Sequence, residues 1–404
     1  MNRTVLLASQ IIDGRGGAPL ADGGILIEGE QIRAVAPRAD LEQLPDARVY
    51  DLAGWTLLPG LMDAHIHLDG WETTNRFDWV VMPDALRALN AAAYAKRVLD
   101  AGFTCVRDAG SNIGPQLKQV IEEGKLPGPR MRVSVKGIYQ TNGQGDRAYM
   151  PIEWVRQKEN CVLADGPFEC RRAVRLMLRE GADFIKIATS GGYLSSEPHF
   201  TLEEVEAMCD EAHRMDKRVA AHALGRGIET AVLGGVDSIE HGGFLTSKVA
   251  RLMAERDIPI VPTLSIPRMS LRGEPRYPLT DAARDKWEKT VRGGNESVRL
   301  AKEYGIRIAL GTDFGGQPFF LPDQLAVELE FMVEAGLTPH EAIIAATKTA
   351  AQVIEVEDKL GTLEPGKLAD VVGVKSDPLK DITLLQNMGV VIKGGTLIHA
   401  RGFA

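Results

Sequence analysis

Residues 61–67 read Leu61-Met62-Asp63-Ala64-His65-Ile66-His67. A short, mostly apolar run of this kind suits a strand of a parallel sheet, buried on both faces. Residues two apart on a strand face the same way, so His65 and His67 leave it on one side together. If the strand belongs to a closed barrel, that side is the interior. Functional groups gather at the C-terminal ends of barrel strands, which is where the pair stands. The same rhythm runs on downstream, with apolar strand candidates at 61–67, 103–107, 132–138, 184–188, 219–222, 238–241, 258–261 and 306–313. Amphipathic helical stretches at 77–101, 168–180, 202–215, 227–234, 248–256, 281–304 and 323–335 lie between them. Eight β/α units in a row predict a (β/α)8 TIM barrel. No Gly-x-Gly-x-x-Gly follows the first strand, so a dinucleotide site is not expected.

The two ends of the chain have another character. Residues 4–12, 24–27 and 31–36 are β-rich and broken by Gly14, Gly16, Gly17 and Gly29. Residues 369–375 and 389–398 are alike, with Gly394-Gly395 as a hairpin turn. Neither end can bury a β face alone, so the two are expected to pair. The reading is an α/β chain, with residues 1–58 plus 366–404 as a small β-sandwich domain and 59–365 as the barrel.

Composition narrows the function classes. The chain has 404 residues, 44% of them hydrophobic and 25% charged, which suits a globular protein and not a disordered one. With 47 Lys and Arg against 55 Asp and Glu the formal charge is −8, the wrong sign for nonspecific nucleic-acid binding. The apolar run from Thr4 to Ala8 stops at Ser9-Gln10, too short for a secretory segment, and no stretch approaches the ~20 apolar residues of a membrane span. A cytoplasmic location and a small-molecule substrate are expected, with no nucleic-acid or membrane partner. Cys105, Cys161, Cys170 and Cys209 include no Cys-x-x-Cys pair, so they read as buried thiols and not as a zinc cluster.

The other strand ends add chemistry. Strand five ends at His222, strand six at Glu240-His241 and strand eight at Gly311-Thr312-Asp313, while strand four carries Lys186 between apolar neighbours. Four of the chain's eight histidines thus fall at strand C-termini. Gathering these imidazoles, a carboxylate and an ammonium in one barrel mouth is costly unless a further charge organises them.

These residues resemble the amidohydrolase superfamily, in the binuclear group with a carboxylated lysine. The likeness is carried by Leu58-Pro59-Gly60 leading into the His65/His67 strand, by Gly311-Thr312-Asp313, and by the run from Gly361 to Asp370 (Gly361-Thr362-Leu363-Glu364-Pro365-Gly366-Lys367-Leu368-Ala369-Asp370). The resemblance implies a distorted barrel with a β-sandwich from both termini. It also implies two divalent metals, Zn2+ being the best match to imidazole and oxygen ligands. His65 and His67 would hold one metal, His222 and His241 the other, and a CO2-derived carbamate on Lys186 would bridge them. Asp313 would be both ligand and catalytic carboxylate, shuttling a proton as a metal-bridging hydroxide attacks a carbonyl.

Within the superfamily the chain is most similar to the prolidase-like group, which cleaves Xaa-Pro or Xaa-Arg/Lys dipeptides and N-acylated aromatic amino acids such as ochratoxin. This closer likeness rests on 104–110, 137–146 and 187–192. One departure stands out: Asn142 and Gln144 occupy positions where the family's third-strand loop has Gly and His. Gln can donate a hydrogen bond but cannot carry a proton. Tyr139, Gln144, Tyr193 and Arg226 are the substrate-contact candidates, each just past a strand end, and His199 lies in the loop after strand four. A dipeptide or N-acyl amino acid is the expected substrate. Another amide, a carbamate, a urea or a lactone is the alternative. A mononuclear deaminase is disfavoured because no Glu follows His222 in His-x-x-Glu spacing, and imidazolone-ring hydrolysis because such sites lack the bridging lysine. A non-catalytic scaffold is disfavoured because every ligand position is filled. His213, His340 and His399 read as structural, and relatives of this kind often assemble as homo-oligomers.

Overall fold

The computed structural model describes residues 3–401 apart from 71, 74, 148, 159–160, 194–196 and 274–277. Among these residues the two chain ends do build one sheet of seven strands, in the order Thr396–Ala400, Val390–Lys393, Val371–Lys375, Ala47–Pro59, Arg3–Ile11, Leu20–Glu28, Gln31–Pro37. Arg3–Ile11 and Ala47–Pro59 run parallel; every other pair is antiparallel. The sheet curls until its edge at Ile32 exchanges hydrogen bonds with Lys367 and Gly366, each 2.9 Å. Leu6, Ile25, Ile27, Leu57, Val371 and Val390 fill the inside of this roll. The long Ala47–Pro59 strand was not foreseen, because its exposed half (Arg48, Asp51, Ala53, Gly54) hides the β pattern.

The parallel strands of the barrel agree with the sequence reading, with three departures. The expected strand at 132–138 is two short ones, Arg130–Val133 and Gly137–Tyr139, which lie in different sheets. The break centres on Val135, which sits at φ 67°, a left-handed conformation that a β-branched residue adopts only under constraint. A short strand, Cys161–Leu163, pairs with Gly137–Tyr139 and was not anticipated. The expected strand at 306–313 forms no regular ladder, although it closes the barrel: Ala309 N–H donates to Ile260 O (3.0 Å) and Ala64 N–H to Leu310 O (2.8 Å). The barrel is therefore distorted at both seams.

The helices follow suit. The expected helix at 77–101 is divided into Arg76–Val81 and Asp84–Asp100, with Pro83 between them, as expected of a residue that cannot continue a helix. The one at 323–335 begins only at Val327. Thr338 and Glu341 form a reciprocal capping box at the start of the helix Pro339–Ile344. All four cysteines are buried and free. No helix among the described residues is long and apolar enough to cross a membrane.

Candidate functional site

The strand ends converge as the two-residue period requires. Asp63, His65 and His67 share one face of the Leu61–Ile66 strand and its extension, and Lys186 rises from Ile185–Ala188 until its Nζ lies 3.4 Å from His65 Nε2. His222 and His241 end neighbouring strands with ring centroids 4.4 Å apart, and His241 lies 4.9 Å from His65. His241 adopts φ 67° at the end of its strand and Asp313 φ 56° in the irregular closing segment, so the backbone turns at each of them. Gly311 makes this possible at the seam: a Cβ there would stand 2.3 Å from Val261 Cγ1 and 2.8 Å from His65 Cβ. His65, His67 and Asp313 offer ligand atoms that all lie within 4.8 Å of one another.

Hydrogen bonds on the outer ring nitrogens set which nitrogen faces the centre. His65 Nδ1–H donates to Glu240 Oε2 at 2.6 Å, His67 Nδ1–H to Gly110 O at 3.0 Å, and His222 Nε2–H to Gly191 O at 2.7 Å. His65 Nε2 and His67 Nε2 then point at Asp313 Oδ1 from 3.4 and 3.2 Å. Two nitrogen lone pairs and a carboxylate oxygen at such distances require positive charge among them. In the polypeptide alone, protons supply it. Burial opposes the charge on Asp313, but hydrogen bonds from His65 and His67 outweigh it and hold the carboxyl well below the ordinary range. Burial likewise opposes charge on His67, and its bond to Asp313 nevertheless raises it. Burial, helped by the nearby Arg107 charge, pushes Lys186 down to about 8, although Glu240 and Asp313 pull the other way. His222 is driven to about 3, by burial first and then by the charge of Lys186.

Beneath this cluster lies a charged layer that the sequence reading passed over. Arg107 donates through Nε to Ala64 O (2.6 Å) and through Nη2 to Glu240 Oε1 (2.7 Å), and Ser238 Oγ–H donates to the same oxygen at 2.6 Å. Burial works against a charge on Glu240, yet the Arg107 guanidinium and His65 keep it ionised, well below the usual carboxylate range. Asp63 accepts from His65 N–H (2.9 Å), Thr312 N–H (3.1 Å) and Thr312 Oγ1–H (2.5 Å), which ties the first strand to the last. The available signs are spacing, since Asp63 stands two before His65 on the same face, and the charges that Arg107 and Glu240 place on fully buried strands.

The four substrate-contact candidates separate. Tyr193 joins the centre: its hydroxyl donates to Asp313 Oδ2, and its ring lies 5.1 Å from that of His241. Gln144 lies close by, its Nε2 4.0 Å from where a Cβ on Gly192 would stand. Tyr139 packs its ring over Gly137 and Gly145, beside Met150, Val155 and Cys161. Arg226 is not brought to the cluster. Its side chain is 71% exposed and pairs with Glu197 at 3.0 Å. Of the remaining histidines, His213 bonds Asp237 (2.8 Å) and His399 bonds Asp100 O (2.7 Å), both structural contacts.

Comparison with known proteins gives this geometry a family. Residues 56–397 match the amidohydrolase family over most of the chain. The chain belongs to that family. This amidohydrolase is 31% identical to ochratoxinase of Aspergillus niger over 99% of its own length and 87% of that protein. It is also similar to the solved structure of a Xaa-Pro dipeptidase with methionine bound in the active site (34% identity, TM-score 0.87, covering 99% and 100% of the two chains). A third match is a prolidase complexed with N-methylphosphonate-L-proline (30% identity, TM-score 0.90, covering 99% and 100%). The chain is thus an enzyme, a hydrolase of amide C–N bonds, with the distorted barrel and accessory sheet of its family.

One consequence of the buried imidazoles concerns acid. A histidine depressed on folding gives stability that is full above its unfolded value, about 6.5, and is lost as pH falls toward the folded value. For His222 that window runs from about 6.5 down to about 3. The metal-free amidohydrolase should lose up to about 1.4 kcal/mol per pH unit from this group below pH 6.5. In denaturant titrations, any stability gap between wild type and His222→Asn should therefore shift toward the variant between pH 7.5 and 5. A gap independent of pH would show that His222 takes up its proton at the same pH in the folded and the unfolded chain.

Proposed function

We propose that this amidohydrolase uses two divalent metals, most simply Zn2+, to hydrolyse the amide bond of a dipeptide or an N-acyl amino acid. The supporting observation is the donor set: His65 Nε2, His67 Nε2 and Asp313 Oδ1 face one another with no proton required by their other contacts. Borderline imidazole nitrogens with a carboxylate oxygen fit zinc. His65, His67 and Asp313 would hold one ion and His222 with His241 the other. Lys186, as a carbamate formed with CO2, would lie between them. Bound there, the metals would polarise a carbonyl and acidify a water.

The chain's own groups account for the rest. Lys186 is buried among apolar neighbours that disfavour its ammonium, so a neutral amine is accessible for carboxylation near neutral pH. Asp313 stands at the barrel mouth, where its carboxylate can take a proton from the attacking water and return it to the leaving nitrogen. Tyr193 donates to Asp313 Oδ2 and so orients that carboxylate. Glu240 and Gly110 hold the rings of His65 and His67 in the tautomer that a metal needs.

The dipeptide and N-acyl part of the proposal draws on the relatives, which carry the names ochratoxinase, Xaa-Pro dipeptidase and prolidase. A second reading, a non-peptide amide, carbamate, urea or lactone, is favoured by Gln144, which replaces the family's histidine in the third-strand loop. Amine release from Xaa-Pro, Xaa-Arg and N-acyl-aromatic amino acids, with enzyme reconstituted in Zn2+ and bicarbonate, separates the two. Turnover of one series is expected. Silence across the panel from metal-loaded protein would overturn the first reading in favour of the second.

A further inference from the structure

His241 differs from the other clustered histidines in the partner of its outer nitrogen. His65, His67 and His222 each bond a carboxylate or a backbone carbonyl, whereas His241 Nδ1 lies 2.7 Å from the hydroxyl of Thr263, just past the strand Ile260–Val261. Thr263 is fully buried and sits at φ 48°, a left-handed conformation that a β-branched residue enters only under constraint. Glu328 supplies the constraint. Equally buried, in the first turn of the helix Val327–Glu334, it takes both backbone N–H groups that follow Thr263. Its Oε1 accepts from Leu264 at 2.8 Å, and its Oε2 from Ser265 N–H at 2.7 Å and from the Ser265 hydroxyl at 2.5 Å.

The Thr263 hydroxyl has a second neighbour. It bonds the oxygen of Tyr193, whose own hydroxyl donates to Asp313 Oδ2 and whose ring lies 5.1 Å from that of His241. Four side chains thus form one line, and its direction follows from counting protons. An ionised Asp313 can only accept, so Tyr193 gives it its single proton. The Tyr193 oxygen then accepts from Thr263, which has no proton left for His241. His241 Nδ1 must donate, and a neutral ring protonated there keeps its lone pair at Nε2.

We propose that Thr263 is a positioning residue which, held by Glu328, fixes His241 in its Nδ1–H form and couples it through Tyr193 to Asp313. This rests on the reading of His241 and Asp313 as metal ligands. One hydrogen-bonded line then orients both a ligand of the second metal and the catalytic carboxylate. The left-handed turn at Thr263 brings its hydroxyl to both partners at once.

The test reads the tautomer directly, by long-range 15N–1H NMR of the zinc-free full-length protein at about pH 8, with the His241 signals assigned by their loss in His241→Gln. The wild type should carry the His241 proton on Nδ1. Thr263→Val keeps the branched shape and loses the hydroxyl; it should release that proton to a mixture of both nitrogens and weaken the more loosely held zinc ion by about 10-fold. Thr263→Ser should restore both. Glu328→Gln should loosen the same ion, and combining it with Thr263→Val should cost no more than Thr263→Val alone, because both cut one connection. A wild-type proton on Nε2, or an unchanged tautomer in Thr263→Val, would overturn the role of Thr263. So would a Thr263→Ser as impaired as Thr263→Val, which marks a merely structural residue. Additive losses in the double variant would overturn the part given to Glu328. Zinc stoichiometry is measured separately. A wild type that binds no second ion yet holds the proton on Nδ1 refutes the two-metal reading and leaves the line standing; two ions with the proton on Nε2 do the reverse.

Discussion

Asp313→Asn is expected to retain bound metal and to lose about 1,000-fold or more in kcat. The carboxylate has two tasks, and the substitution divides them. Asn keeps an oxygen where Asp313 Oδ1 faces His65 and His67, so an ion can still be held. It cannot take a proton from water and hand it on, and general acid–base catalysis is worth about 100- to 10,000-fold. The backbone should tolerate the change, because Asp313 sits at φ 56° and Asn, like Asp, enters that region at low cost. Metal content and turnover measured on the same preparation decide the matter. A variant with full metal and a near-normal rate would remove Asp313 from the proton path.

Glu240→Gln should weaken zinc binding and kcat/KM by about 10- to 100-fold, the usual range for loss of a carboxylate that orients a ligating histidine. The side chain keeps its shape, but the amide can accept from only one of its two sides, while Arg107 and His65 both donate to Glu240 now. One of the two donors must face an N–H. Removing one member of a buried ion pair also typically costs about 3–5 kcal/mol, so the variant should be less stable as well. Zinc affinity from chelator competition, read beside a denaturant titration, tells these effects apart. A stable variant with wild-type zinc affinity would show that Glu240 does not govern the orientation of His65.

The legible part of the molecule is the part with a short period and strong chemistry. His65, His67, His222, His241 and Asp313 were readable because each ends an apolar run, and Lys186 because a charge inside such a run has few reasons to be there. Helix caps such as Thr338 with Glu341 were legible for the same local reason. What was hidden depends on contacts between distant segments. The break at Val135 and the irregular closure at 307–310 arise where the barrel seams must bend, and no local propensity announces either. Arg107 and Glu240 meet only once the second and sixth strands, which belong to different sheets, face each other across the barrel interior. Arg226 shows the converse: its position after a strand end suggested the pocket, but its side chain leaves the helix start toward solvent and Glu197.

The most direct test of the proposed chemistry is a zinc titration of the metal-free protein in bicarbonate, with amine release followed at each step on the substrate that the panel identifies. The expected result is activity that climbs from near zero to a plateau at two zinc ions per chain and falls again when a chelator strips them. Full turnover by protein containing no metal would contradict it, because the facing lone pairs of His65, His67 and Asp313 would then have some other purpose.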